Sequence, residues 1–236
     1  MLFRRGEEMT IMIIKVAASL IAGTLAGFSA VYIFNKMPAS WLCDYGEKPS
    51  EELADPHIQR VKGYPWRWIY AAGFSCLLVR LTFFDVQFAA AALFACWALL
   101  IIGLADLKYM VIPDQFVVML ALSAFGFIPY YENLLQPALG AAIGGGVMLI
   151  AALLGGAAFK KEVMGFGDVK LFACLGLILG AKGTVVVLIG SALCSGIAAC
   201  LGLASGKYKK DDMKPLGPYI CSWGIIYLFV LYPLMG

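Results

Sequence analysis

Long runs without a single charged residue divide this chain. They occupy 16–35, 86–105, 115–131, 133–159, 183–206 and 215–236. Each approaches or exceeds the ~20 residues that an α-helix needs to cross about 30 Å of hydrocarbon. Two further runs are less regular. Residues 68–84 are interrupted only by Arg80, close enough to an end for its guanidinium to snorkel. Residues 171–181 make a helix of only ~16 Å. This run spans only if its helix begins earlier, within Met164-Gly165-Phe166-Gly167-Asp168. The pattern predicts an all-α polytopic membrane protein with about eight transmembrane helices, the sixth carrying an acid at its entry. Residues 1–236 read as a single membrane domain with one sizeable loop, 36–67.

Composition agrees with the pattern. Of 236 residues 62% are hydrophobic and only 14% charged, against roughly a quarter charged in a soluble domain. That excludes a soluble globular enzyme and a disordered chain. The net charge of +3 is too small and too scattered for a nucleic-acid binder. Where the charges fall matters more. The connections 36–67, 106–114, 160–170 and 206–214 hold 13 of the 18 Lys and Arg residues, including Lys48, Lys160, Lys161, Lys207, Lys209 and Lys210. The opposite connections, near 85, 131–136 and 182, hold only Lys182. The positive-inside rule makes the first set cytoplasmic and both termini external. Arg4 and Arg5 run against this, partly offset by Glu7 and Glu8, and a start at Met9 or Met12 would remove them. Arg-Arg before an apolar run also suits a signal peptide. This run is longer than the usual signal core, and an uncleaved first span is the expectation.

The chemistry on offer is narrow. Seven cysteines include no Cys-x-x-Cys pair, and His57 is the one histidine. There is no Walker loop and no His-Glu-x-x-His. No metal site and no Ser-His-Asp triad are expected. What stands out is a pair of acids at membrane depth, where ionisable groups are costly. Asp106 follows the third span, in Gly-Leu-Ala-Asp-Leu-Lys-Tyr-Met-Val-Ile-Pro-Asp (103–114). Asp168 opens the sixth, in Met-Gly-Phe-Gly-Asp-Val-Lys-Leu-Phe (164–172). The topology puts both at cytoplasmic helix ends. Gly165 and Gly167 bracket Phe166, where they permit positive φ and close backbone approach. Pro113 suits the first position of the fourth helix and puts Asp114 in its first turn, a structural role. Lys170 is expected to snorkel to lipid headgroups rather than enter chemistry.

Two aspartates a few ångströms apart share one proton. The ionised member activates a water, and the protonated member polarises a carbonyl and supplies a proton. The same electrostatics serve a small proton-coupled transporter, and a non-catalytic assembly scaffold needs neither acid. The residues alone leave these readings open.

Gly165-Phe166-Gly167-Asp168, read with Asp106 at the head of a segment ending Ile112-Pro113-Asp114, resembles the type IV prepilin peptidases, membrane aspartic peptidases of the Gly-x-Gly-Asp kind. Gly167-Asp168-Val169-Lys170-Leu171 is similar to the family's Gly-Asp-x-Lys-Leu stretch. Lys214-Pro215-Leu216-Gly217-Pro218-Tyr219 resembles its Pro-Phe-Gly-Pro segment opening the last helix. Gly23 and Gly27, running into Asn35-Lys36-Met37-Pro38, are a looser match. The resemblance implies that Asp106 and Asp168 are the catalytic pair, with Gly165 and Gly167 shaping the backbone beside it and Pro113, Asp114 and Lys170 in support. It implies cleavage of the short basic leader of prepilin or pseudopilin precursors at the cytoplasmic face of the inner membrane. Presenilin-like enzymes share Gly-x-Gly-Asp but carry a Pro-Ala-Leu after it. Here the only Pro-Ala-Leu (137–139) precedes it.

One departure stands out. Many members of that family have a larger cytoplasmic domain with two Cys-x-x-Cys pairs, and they methylate the new N-terminus with S-adenosylmethionine. Here 36–67 is short, with Cys43 alone. No cofactor is expected unless methylation is retained. Asp44, Glu47, Glu51, Glu52 and Asp55 in this loop read mainly as a solvated run, with attraction of a basic leader as the second reading.

Overall fold

The computed structural model describes residues 2–43, 46, 49, 53, 55, 58–159, 165–206 and 214–235, with backbone only at 2–6, 159 and 235. Asp44, Lys48, Glu47, Glu51, Glu52, His57, Lys160, Lys161, Met164, Lys207, Lys209 and Lys210 lie outside the described residues, as do the side chains of Arg4 and Arg5. Described secondary structure is helical, with no strand among these residues. The order is α1 (Leu2–Lys36), α2 (Trp66–Phe84), α3 (Val86–Tyr109), α4 (Asp114–Ser123), α5 (Leu135–Phe159), α6 (Phe166–Ala204) and α7 (Gly217–Ile226). A 3₁₀ stretch, Ala124–Tyr130, extends α4, and a π turn, Tyr227–Leu231, carries α7 on to Tyr232–Met235.

Among the described residues, five helical segments are long and apolar enough to cross a membrane: Glu7–Lys36, Val86–Tyr109, Leu135–Ala158, Phe166–Ala204 and Gly217–Leu234. The expected eight differ from these five for identifiable reasons. The α2 segment carries Arg67 and Arg80, which dilute its apolarity. The stretch Asp114–Tyr130 is apolar but short. The sixth and seventh expected spans both fall within the 39 residues of α6. As the composition requires, the sixth begins early, at Phe166.

A straight helix of that length would reach ~58 Å, about twice the hydrocarbon thickness. It is not straight. Gly180 has φ 66° and ψ −179°, a conformation open to glycine and strained for other residues. A Cβ placed on Gly144 of α5 would lie 3.1 Å from the Phe172 carbonyl carbon and 3.1 Å from Thr184 Cγ2. Residues before and after Gly180 therefore return to one level of α5, and the chain doubles back at this glycine. The carbonyls of Leu177 and Ile178, beside the break, accept from the Tyr131 hydroxyl at 2.6 and 2.9 Å.

Most spans turn large apolar side chains outward, among them Ile21, Leu25, Leu153, Leu154, Leu193 and Leu201. The inside is small and dense. The α3 segment is the most enclosed of the five, and its Leu99, Ile101 and Ile102 are fully buried with Phe172 and Leu175 of α6. On α1, Gly23 and Gly27 sit directly on the backbone of Ser75 and Ala71 in α2, the close helix approach that small residues permit in a membrane. The turn between α2 and α3 is one residue. Asp85 ends one helix and caps the next, accepting from the Phe88 N–H at 2.7 Å.

The described part of 36–67 folds back on the end of α1. Asn35 pairs with Val61 through both its amide atoms, at 2.8 and 2.9 Å. The Arg60 guanidinium donates to the carbonyls of Phe34, Met37 and Leu53. Leu42, Leu53 and Val61 are buried beneath.

Candidate active site

Four helix ends meet on one side of the fold: the C-terminal turn of α3 and the N-terminal turns of α4, α6 and α7. They are brought there by backbone punctuation. At the end of α3, Met110 adopts the left-handed conformation (φ 54°, ψ 31°), and its N–H closes on the Asp106 carbonyl at 2.9 Å. Pro113 is extended (φ −69°, ψ 120°) and precedes the first helical residue, Asp114. It is thus the N-cap rather than the first helical residue, and Asp114 takes the first-turn place expected of it.

Asp106 and Asp168 lie far apart in sequence, and both are withdrawn from solvent here, at 6% and 8% exposed. They are close enough for the charge of Asp106 to act on Asp168. Asp106 Oδ2 accepts a hydrogen bond from the Gly217 N–H at 2.8 Å. Asp168 Oδ1 is buried with no hydrogen-bond partner among the described residues. In a folded protein such an atom is costly unless something else meets it.

Neither glycine of the Gly-x-Gly-Asp stretch uses the left-handed region. Gly165 is an extended N-cap (φ −71°, ψ 144°) whose carbonyl accepts from the Asp168 N–H at 3.2 Å. Gly167 is inside the first turn of α6. The positive φ that glycine would permit there is not used. What Gly167 does is admit a neighbour, since a Cβ on it would lie 3.0 Å from Ile112 Cβ. The Lys170 ammonium, expected among headgroups, instead meets both oxygens of Asp114 at 3.0 and 3.1 Å and lies 5.4 Å from the Phe166 ring. That pair ties the first turn of α4 to the first turn of α6, beside Asp168.

Two residues were not singled out by sequence for a place at these acids. Gly217 was visible only as part of Pro215-Leu216-Gly217-Pro218. Cys221, one turn further along α7, is buried and packs on Gly103 of α3, within electrostatic reach of both carboxylates. Nothing in its spacing marked it.

Residues 93–200 match the Type IV leader peptidase family. The chain is 30% identical over 150 residues to a prepilin leader peptidase/N-methyltransferase of Xanthomonas campestris pv. campestris, covering 62% of this chain and 51% of that protein. It is 33% identical over 144 residues to one of Aeromonas salmonicida, covering 58% and 48%. It is 29% identical over 134 residues to one of Bacillus subtilis, covering 56% and 52%. The chain thus spans about half the length of the curated relatives it matches. No solved structure matches it. The matched stretch contains Asp106, Asp114, Gly165, Gly167 and Asp168, and over residues 93–200 this chain is similar to the type IV leader peptidase family.

Proposed function

We propose that this chain is an aspartic endopeptidase of the inner membrane that removes the short basic leader of prepilin or pseudopilin precursors. Asp106 and Asp168 form its catalytic pair. The observation that carries the reading is their placement: two acids from distant parts of the chain, both buried, at adjoining helix ends within electrostatic reach. The family match and the names of the relatives support leader cleavage as the reaction. They lend nothing to the proton-coupled transporter, which used the same carboxylates.

The topology belongs to the same proposal. Counting α6 as two crossings that meet at Gly180, and α2 and 114–130 as one each, gives eight spans. The distribution of Lys and Arg then turns the acids to the cytoplasm, where a basic leader would enter while the apolar segment after it stays in the bilayer. Gly167 lets α6 lie close to the 110–113 turn, and the Asp114–Lys170 pair holds that approach.

The relatives' names also carry N-methyltransferase. S-adenosylmethionine would supply the methyl group for that reaction. The one buried side-chain oxygen without a partner among the described residues is Asp168 Oδ1, which the peptidase pair uses. These residues provide no separate polar cradle for a nucleoside, and no step is derived through it. Incubating the detergent-purified protein with a prepilin and weighing the product tests the proposal. Loss of the leader mass is expected, and an intact precursor would refute it. A further 14 Da gain on addition of S-adenosylmethionine would report methylation.

A further inference from the structure

The two carboxyl groups are not held alike. Asp106 Oδ2 receives the Gly217 N–H at 2.8 Å, and Gly217 is the first residue of α7, where unpaired N–H groups and the positive end of the helix dipole favour an anion. Asp168 also sits in a helical first turn, yet its N–H bonds to the Gly165 carbonyl and its Oδ1 meets no donor among the described residues. A neutral carboxyl tolerates that environment better than a carboxylate does. Glycine is what permits the asymmetry. A Cβ at 217 would lie 2.6 Å from Asp106 Oδ2 and 2.9 Å from its Cγ.

We infer that Gly217 is the positioning residue that makes the pair unequal: its N–H holds Asp106 as the ionised, water-activating member and leaves Asp168 to carry the proton to the scissile carbonyl. This rests on the reading of Asp106 and Asp168 as the catalytic pair. The step balances. A water oxygen bonds to the carbonyl carbon, one water proton passes to Asp106, and the Asp168 proton passes to the carbonyl oxygen, giving a gem-diol. Collapse breaks the C–N bond. Asp106 then gives its proton to the leaving amine, and a gem-diol hydroxyl returns its proton to Asp168. Asp168 Oδ1, without a partner among the described residues, is the atom placed to meet the substrate carbonyl. The titratable groups facing Asp106 among the described residues are Asp168 from α6 and Cys221 from α7. The Asp114–Lys170 pair stands alongside as an internally neutral unit.

The test compares prepilin cleavage by wild type, Gly217→Ala, Asp106→Asn and Asp168→Asn in detergent. Gly217 lies in helical backbone with no positive φ, so alanine disturbs the carboxylate rather than the chain. Gly217→Ala is expected to keep KM and to lose kcat by on the order of 10²-fold, as removal of one preorganised donor does. The acidic limb of its kcat/KM profile should move to higher pH while the basic limb stays. A glycolate residue at 217, which replaces the N–H by an ester oxygen and adds no atoms, should move the same limb. That variant decides the matter if the alanine protein fails to fold. Unchanged kcat and limbs in the Gly217 variants, with both Asp→Asn variants dead, overturn this inference alone, as does a shift of the basic limb instead. Cleavage persisting in the Asp→Asn variants overturns the peptidase reading itself.

Discussion

Lys170 Nζ lies 3.0 Å from Asp114 Oδ1, which fastens the first turn of α4 to the first turn of the helix that carries Asp168. Both side chains are about a third exposed, at 34% and 36%, so the pair contributes at most about 1 kcal/mol to stability. Its value is in position. Asp114→Asn and Lys170→Met are each expected to leave the thermal midpoint within a few degrees of wild type. Initial cleavage rates should fall by no more than roughly 10²-fold, as a misplacement of about 1 Å does. Complete loss of cleavage in a folded Asp114→Asn protein would instead put Asp114 among the reacting groups.

Arg60 performs three tasks with one planar group, donating to the carbonyls of Phe34, Met37 and Leu53. The first of these carbonyls is in the last turn of α1, where no intrahelical partner remains. Arg60→Ala should cost about 1.5–3 kcal/mol, the range for hydrogen bonds to a charged donor. Limited proteolysis should then cut within 36–65 sooner than in wild type. Arg60→Lys should not restore resistance, because a point-like ammonium cannot span three acceptors as the guanidinium fork does. Equal cleavage in all three proteins would contradict this.

At the opposite end of α3, Asp85 accepts from the Tyr130 hydroxyl and from the Phe88 N–H. These two donors, Tyr130 foremost, hold its carboxyl below the usual carboxylate value of 3.8. Because the folded value is the lower one, the ionised form stabilises the fold. That contribution is complete above the ordinary value and is lost as pH falls through the lower folded value. The thermal midpoint should therefore drop more steeply between about pH 5 and pH 3 in wild type than in Asp85→Asn. Parallel curves would contradict the assignment.

Much of this was readable in the sequence because charge is scarce in it. Uncharged runs marked where helices lie, and an acid at a helix end was conspicuous. The ends of helices were less readable. Hydropathy starts the first run at 16, yet α1 begins at Leu2, since Glu7, Glu8 and Lys15 are good helix formers outside an apolar run. The doubling of α6 was expected near Lys182, whereas the reversal falls at Gly180, whose φ no composition reveals. Gly165 and Gly167 permit positive φ and close approach, and only the second of these is used. Gly165 is extended, and Gly167 makes room for Ile112. The Gly217 N–H was invisible, because a backbone donor carries no side-chain signature and its acceptor lies in another helix.

Asp106 and Asp168 are proposed to act together on a peptide bond. The most direct measurement is the mass of a prepilin after incubation with purified Asp106→Asn and Asp168→Asn proteins that match wild type in helix content and elution. An undiminished precursor mass is expected in both cases, while wild type releases the leader. Leader release at the wild-type rate by either variant would contradict it.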